Sequence, residues 1–450
     1  MHADAQARSF LIRTFGCQMN EHDSQAIAGL LRSDGMVQTD STDDANVIVL
    51  NTCAIRQNAD DRLYGNLGHL KALKERDPTV RLVVAGCLAQ KDQGQILERA
   101  PWVDVVVGTH ALPALLGLIE RSRASGPQMD VTEQTEVFPS ALPAPGPDAF
   151  KAWVSIAPGC DNACTFCIVP FVRGPQRSRP IREIVDQVRM LASSGVVEVT
   201  LLGQNVNTFG RDLSDPSSSR RPLFAELLRA IDRIDGIRRI RFTSPHPHDF
   251  TEDVVDAMAS SPNVCEHIHF PLQSGSDRIL RSMRRSYRRE RYLSWLDRIR
   301  AAIPGIGVTT DIIVGFPGET ERDFQDTLEV VDRARFDSAY TFQYSPRLGT
   351  RAAAFDGQLP KPVVQERFER LVALQESVSL ENARSLVGKA YELLIEGAGR
   401  KGRSTQGRTR TNRIVHLGSA HAPGEFVTAR ITAAAPHHLM GEPAPAAVSV

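Results

Sequence analysis

Short apolar runs recur along this chain with room for one helix between each pair. Residues 9–14 (SFLIRT), 46–51 (NVIVLN), 81–85 (RLVVA) and 103–107 (VDVVV) read as buried strands, and the amphipathic stretches 23–31 and 63–75 read as helices between them. Strand, helix, strand repeated at this length predicts an open parallel sheet, because a parallel neighbour is reached only by a crossover of about a dozen residues or more. Residues 126–148 then carry Pro, Ser, Gly and acidic residues without periodicity, which predicts a linker after a first domain over 8–125.

The alternation resumes over 149–380. Strand candidates lie at 152–157, 198–202, 239–243, 267–271, 307–314 and 338–344, with helical stretches such as 181–193 and 222–234 separating them. Six strand–helix units predict a complete or partial TIM-like barrel, (β/α)6 in count. One long polar helix pattern fills 361–386. Beyond Gly388 the runs YELLIEG, RIVHLG and EFVTARITAA, joined by Gly-rich or basic turns, predict a small OB-like β-barrel as a third domain over 381–448. The fold class expected is α/β and multidomain.

Composition narrows this only a little. The 450 residues suit two or three domains, and 42% hydrophobic with 24% charged residues excludes global disorder. Formal net charge is zero, so nucleic-acid contact must come from local basic patches. No apolar run approaches the roughly 20 residues of a membrane span, and the opening MHADAQARSF lacks the apolar core of a secretory signal. The expected compartment is the cytoplasm, with no membrane partner and with seven cysteines kept reduced.

Six of those cysteines fall into two sets of three. Cys160, Cys164 and Cys167 form C-x-x-x-C-x-x-C on the loop after the first barrel strand. Structural zinc wants four protein ligands. Three close thiolates with no fourth nearby suit a 4Fe-4S cluster whose remaining iron is open to a cofactor. Cys17, Cys53 and Cys87 are far apart, but each follows an apolar strand by one to three residues (LIRTFGC, VIVLNTC, LVVAGC). If the sheet is parallel, its strand ends share one edge and the three thiols converge there; otherwise they are scattered core cysteines. Cys265 fits neither set and reads as structural.

The tract CDNACTFC, with an aromatic before its last cysteine, is the signature of the radical-SAM superfamily. With it stand GCQMNEHDS, NTCAIR and AGCLAQ around the first three cysteines, and a final segment that looks like a TRAM domain, a small RNA-binding barrel. Over almost its whole length the chain therefore resembles the methylthiotransferase family of radical-SAM enzymes. Gln18-Met19 after Cys17 is of the branch acting on isopentenyladenosine; the ribosomal-protein branch usually reads GCPKN there and the threonylcarbamoyladenosine branch GCKVN. The tracts CTFCIVPFVRGPQRSRP, LLGQNVN, SPHPHDF, HIHFPLQSGS and TTDIIVGFPGET are of the same type, with Phe171-Val172 standing where Tyr-Thr is common.

The resemblance implies a tRNA-modifying transferase that places a methylthio group on carbon two of isopentenyladenosine next to the anticodon. It implies two 4Fe-4S clusters, on Cys160/Cys164/Cys167 and on Cys17/Cys53/Cys87, and two S-adenosylmethionine molecules per product, one cleaved to a deoxyadenosyl radical and one donating methyl to sulfur. The partners implied are a tRNA anticodon stem-loop, a reductant protein such as a flavodoxin, and a sulfur donor. Gln204 and Asn205 at the end of the second barrel strand, Gln273 and Ser274 at the end of the fourth, and Gly315, Gly318 and Glu319 in GFPGE after the fifth would by resemblance contact S-adenosylmethionine. Loop capping and a tight turn are the competing readings. No residue is assigned a catalytic acid or base. His267 and His269 alternate on one strand and read as packing.

Arginine is uneven along the chain. Residues 278–291 hold seven against one acid, Glu290, and Arg400, Lys401, Arg403, Arg408, Arg410 and Arg413 crowd the last segment. Both tracts are candidates for RNA phosphates or for solvated surface. Two other functions stay open: a threonylcarbamoyladenosine tRNA methylthiotransferase, and a non-catalytic iron–sulfur or RNA-binding protein, against which stand the barrel with its C-x-x-x-C-x-x-C and GFPGE.

Overall fold

A computed structural model describes residues 8–54, 57–132, 149–213, 221–399 and 404–445. The first apolar runs form β1 (Ser9–Phe15), β3 (Val47–Thr52), β4 (Arg81–Ala85) and β5 (Val105–Val107), with short edge strands β2 (Val37–Gln38) and β6 (Gln128–Asp130). All pair in parallel, in the order β2-β1-β3-β4-β5-β6. The inner strands β3, β4 and β5 are apolar at nearly every position because both faces are covered. Ile48 and Leu50 face one core with Leu82 and Val84, while Val47 and Val49 face the other with Val83 and Ala85. The strand β6 lies where the sequence predicts linker, its backbone completing the sheet edge beside β5. Residues 133–148 of that segment lie outside the described residues.

The second group of runs forms two three-stranded parallel sheets. One is β7 (Lys151–Ala157), β8 (Glu198–Gly203) and β9 (Arg239–Phe242); the other is β10 (His267–His269), β11 (Gly307–Val314) and β12 (Ser338–Gln343). A single parallel bridge from Ile240 to Val264 carries the first sheet toward the second, giving a partial six-stranded barrel. The helix Lys361–Arg384 follows, and then β13 (Ala390–Ala398), β14 (Thr405–Thr409), β15 (Ile414–Leu417), β16 (Phe426–Ala434) and β17 (Leu439–Pro443) close into a five-stranded barrel. By compactness the chain divides into two units. Residues 158–162 and 167–177 join the N-terminal sheet, and the closed barrel joins the partial one.

Within that second unit the small barrel seats on the N-terminal ends of the parallel strands. Lys151 opens β7 and pairs with Glu396 at 2.7 Å, and Arg239 opens β9 and donates to Arg408 O at 2.7 Å. Glu266, just before β10, takes Arg410 at 2.8 Å, and Asp337, just before β12, pairs with Arg413. A Cβ on Gly307, which opens β11, would lie 2.6 Å from Thr411 O. The small barrel therefore floors the partial barrel, at the end opposite the strand C-termini. Arg408 is also bound by both carboxylate oxygens of Glu396, at 2.9 and 3.0 Å. Against the reading of Arg408, Arg410 and Arg413 as a phosphate-binding surface, their charges are matched by Glu396 of the small barrel and by Glu266 and Asp337 of the partial barrel. Arg400, Lys401 and Arg403 lie outside the described residues.

The floor supplies a stability prediction. Arg241 Nε donates to Glu198 Oε2 at 2.9 Å with side chains 8% and 6% exposed, while its other nitrogens donate to Thr409 O and Arg410 O. Removing one partner of a buried pair leaves an uncompensated charge, at a cost of about 3–5 kcal/mol. Glu198→Ala is expected to lower unfolding stability by that amount in urea titrations, whereas Arg298→Ala, whose partner Glu252 is exposed, should cost less than about 1 kcal/mol.

Candidate functional site

The parallel sheet brings the first three cysteines together. Cys17 follows β1, Cys53 follows β3 and Cys87 follows β4, and these strands are adjacent in the sheet. Cys17 is the N-cap of the helix Gln18–Ser33, and Cys87 opens the helix Cys87–Asp92. Glycine before each of these two cysteines has a steric cause. A Cβ on Gly16 would sit 2.6 Å from Cys53 Cβ, and one on Gly86, where φ is +92°, would sit 2.2 Å from Asn51 Oδ1. Asn51 and Asn20 lash the strand end to the helix, through Asn51 Nδ2 to Asn20 O at 2.8 Å and Asn20 Nδ2 to Asn51 Oδ1 at 3.2 Å.

The electrostatics of this corner favour thiolate at Cys17 and oppose it at Cys87. A hydrogen bond from Cys53 lowers the Cys17 pKa to about 6 against the opposing effect of burial, helped by the Arg173 charge and the amides of Asn20 and Met19. Burial pushes Cys87 up to about 11, and Arg173 acts against that through charge and a hydrogen bond. Arg173 is itself buried, paired to Asp23 at 2.6 Å, with His22 Nδ1 3.6 Å from the same carboxylate. Three converging sulfurs beside a buried guanidinium fit an anionic thiolate-bound cluster. Among the described residues no three His, Cys, Asp or Glu close to the tight geometry of one metal ion. A four-iron cube asks for wider spacing, since each cysteine binds a different iron.

The C-x-x-x-C-x-x-C loop leaves β7 at the C-terminal edge of its sheet. Cys160, Cys164 and Cys167 are partly exposed and none is in a disulfide. Cys160 N donates to Gly174 O at 3.1 Å, and Arg173 ends the short helix Val169–Arg173 that starts two residues after Cys167. On the other side of the loop Thr165 N donates to Met283 O at 3.1 Å and Thr165 Oγ1 to Ser282 O at 3.0 Å, while Phe166 packs against Ile279, Met283 and Phe316. Cys164 Sγ accepts from Arg285 Nη1 at 3.6 Å.

At the end of β8, Gln204 and Asn205 fit a ligand-binding role. Both polar atoms of Gln204 and the Oδ1 of Asn205 are buried without a hydrogen-bond partner, while Asn205 Nδ2 is fixed by Asp249 at 2.9 Å. Orphaned buried polar atoms cost free energy until a ligand satisfies them. Gln273 sits at φ +68°, in the left-handed region, bridged to Ile312. The remaining candidates are used inside the fold. Ser274 Oγ lies 3.4 Å from Thr327 Oγ1 and accepts from Ser276 N. Glu319 pairs with Arg367 at 2.7 Å, both buried, and accepts from Gly315 N. A Cβ on Gly315 would meet Val364 at 2.6 Å, so its need for glycine comes from the helix Lys361–Arg384, and Gly318 serves the turn at φ +76°. For Ser274, Gly315, Gly318 and Glu319 the geometry thus favours turn and packing over cofactor contact.

His267 and His269 pack as expected, sharing Thr309 Oγ1 at 3.2 and 3.0 Å, and burial followed by the Arg241 charge holds His267 neutral. Cys265 is buried, consistent with a structural role. In the basic tract 278–291, Arg278 is tied to Asp323 and Arg289 to Asp326, while Arg281, Arg284 and Arg288 are exposed. Sequence reasoning passed over Arg173 and Asp23 and took Arg285 only as one of the basic tract, since one sequence carries no signal for the partner of a charge.

Comparison with known proteins bears on the family and the fold. Residues 154–331 match the Radical SAM superfamily, residues 9–108 the Uncharacterized protein family UPF0004, and residues 384–444 the TRAM domain. The chain is 56% identical over 447 residues to the tRNA-2-methylthio-N(6)-dimethylallyladenosine synthase of Mycobacterium bovis, covering 97% of this chain and 87% of that protein. It is 54% identical to the protein of the same description from Mycobacteroides abscessus, covering 98% and 89%. Among solved structures, the radical S-adenosylmethionine methyltransferase TsrM from Kitasatospora setae superposes with a TM-score of 0.55 over 77% of each chain at 13% identity, a likeness of fold alone.

Proposed function

The chain belongs to the radical-SAM methylthiotransferases, and from that premise we propose that it converts N6-dimethylallyladenosine of tRNA to its 2-methylthio derivative. Dimethylallyl and isopentenyl name the same five-carbon group. The observation that carries the proposal is the convergence of Cys17, Cys53 and Cys87 beside Arg173, in a chain that separately bears the C-x-x-x-C-x-x-C loop. One three-cysteine centre suffices to generate a radical; a second suits an enzyme that must also deliver sulfur. When bound, the cluster on Cys160, Cys164 and Cys167 supplies reductive cleavage of S-adenosylmethionine, and the one on Cys17, Cys53 and Cys87 supplies sulfur.

The chain's own residues bind and orient. Gln204 and Asn205 offer unpartnered donors and acceptors for the polar part of S-adenosylmethionine, with Gln273 at the end of the next sheet as a further contact. Arg173 offsets negative charge on the N-terminal thiolates, and Asp23 fixes its position. Exposed Arg281, Arg284 and Arg288, on the turn that clamps Thr165, are placed to hold phosphates of an anticodon loop, a role the floor arginines do not have free charge to fill. Two S-adenosylmethionine molecules are used per product. A one-electron donor of the flavodoxin type and an external sulfur donor complete the stoichiometry. No described helix is long and apolar enough to cross a membrane, and we assign the protein to the cytoplasm with the tRNA it modifies.

Nucleoside analysis of tRNA from cells lacking this protein tests the proposal. The 2-methylthio-N6-dimethylallyladenosine should vanish and N6-dimethylallyladenosine should accumulate in its place. Loss of a 2-methylthio-threonylcarbamoyladenosine instead would assign the chain to the other branch, and no change in either nucleoside would leave it a carrier or binding protein.

A further inference from the structure

We propose that Arg285 is a positioning residue for the cluster on Cys160, Cys164 and Cys167, donating a hydrogen bond to the Cys164 sulfur and raising that cluster's reduction potential. The inference rests on the reading of this loop as a 4Fe-4S site.

Arg285 is 9% exposed, and its fork is pinned on three sides. Nη1 points to Cys164 Sγ at 3.6 Å, Nη2 to Pro271 O at 3.3 Å, and Nε to Tyr287 Oη at 3.1 Å. Tyr287 Oη in turn donates toward Leu272 O at 2.7 Å and Pro271 O at 3.1 Å, so the frame is anchored at the C-terminal end of the strand β10. The local chain fold enforces this placement. The helix Asp277–Ser282 ends at Met283, Arg284 turns the chain through φ +56°, and Arg285 N closes onto Leu280 O at 2.8 Å. That same turn supplies the carbonyls of Ser282 and Met283 that hold Thr165, the residue after Cys164. Cluster loop and guanidinium are thus set by one piece of backbone.

The charge balance points the same way. A buried guanidinium is costly unless an anion faces it. Among the described residues no ion pair joins Arg285 to a carboxylate, and the groups facing it are Cys164, Tyr287 and His246. Burial, followed by the Arg285 charge and His248, holds His246 neutral, with its pKa lowered to about 2. Burial raises Tyr287, so the phenol is neutral too. The Cys164 sulfur is therefore the one group in this frame whose ligated form is anionic, and a thiolate-bound cluster supplies the missing counter-charge. Hydrogen bonds to cluster sulfurs and nearby positive charge favour the reduced, more negative state. The event concerned is uptake of one electron from a low-potential one-electron donor, with no bond formed or broken at Arg285.

The test is EPR-monitored redox titration of the reconstituted full-length protein carrying Arg285→Gln or Arg285→Lys. The barrel cluster is identified as the one whose reduced signal changes when S-adenosylmethionine is added. Arg285→Gln should keep the wild-type iron content but move that cluster's midpoint to a more negative potential, leaving the other cluster's midpoint where it was. Arg285→Lys, which keeps charge without the fork, should fall between. An unshifted or more positive midpoint in Arg285→Gln would overturn the proposal. If that variant does not retain the barrel cluster, Tyr287→Phe becomes the deciding variant: it loosens the guanidinium and should shift the midpoint negatively, and an unchanged midpoint in both Tyr287→Phe and Arg285→Lys would overturn the role. Absence of any S-adenosylmethionine-responsive signal in the wild-type protein would instead overturn the cluster reading beneath it.

Discussion

Cys164→Ala should abolish S-adenosylmethionine cleavage and methylthio insertion together, while about half of the iron of a two-cluster protein stays bound. The loop offers three cysteines and no fourth, so the loss of one leaves two ligands, too few to hold a cube with an open iron. The substituted side chain is small, partly exposed and outside the apolar cores, so the fold should survive. The retained iron would sit on Cys17, Cys53 and Cys87, whose positions are set by the ends of β1, β3 and β4. Iron and sulfide counting with Mössbauer spectra, beside an assay of deoxyadenosine release under reduction, checks both halves. Complete loss of iron from a folded variant would argue against two separate sites.

Cys53→Ala should have the opposite signature: methylthio product falls below detection, yet S-adenosylmethionine is still cleaved under reduction. Cys53 is fully buried at the end of β3 and supplies the hydrogen bond that most lowers the Cys17 pKa. Its removal therefore takes away one ligand and makes a second one less ready to ionise. In the wild-type protein the Cys17 pKa is lowered to about 6; without the Cys53 hydrogen bond only the Arg173 charge and the amides of Asn20 and Met19 oppose burial, and ionisation moves to higher pH. On the proposed reading, cleavage is the work of the C-x-x-x-C-x-x-C loop, with Gln204 and Asn205 binding S-adenosylmethionine, and needs no sulfur from the Cys17, Cys53 and Cys87 centre. The measurement is product and deoxyadenosine formation in parallel on the same tRNA. Cleavage lost while the barrel cluster remains intact would refute the division of labour between the two centres.

The types and order of the main elements were legible in the chain. Runs such as VIVL (residues 47–50), buried on both faces of a parallel sheet, are apolar at every position, and that signal is local. The edge strands β2 and β6 escaped it, because two- and three-residue strands at a sheet margin need only backbone pairing and leave no apolar run. The C-x-x-x-C-x-x-C site was legible because all its ligands lie within eight consecutive residues. The Cys17, Cys53 and Cys87 site was legible only on condition that the sheet be parallel, which tertiary pairing decided.

What only the tertiary structure decided was the partner of each charge. Arg408, Arg410 and Arg413 look like RNA ligands in a string of basic residues, but Glu396 on the neighbouring strand β13 meets the first, and Glu266 and Asp337, just before distant strands, meet the other two. Glu319 in GFPGE looks like a cofactor ligand until Arg367 arrives from the helix 48 residues later. Arg173 and Arg285 look like surface arginines, yet one is buried against Asp23 and Cys87 and the other against Cys164. Electrostatic energy depends on distance and burial, and neither is a property of sequence neighbourhood. Cysteine spacing within a loop and apolar periodicity within a strand are such properties, which is why the candidate cysteine sets could be picked out from the chain and their charge environment could not.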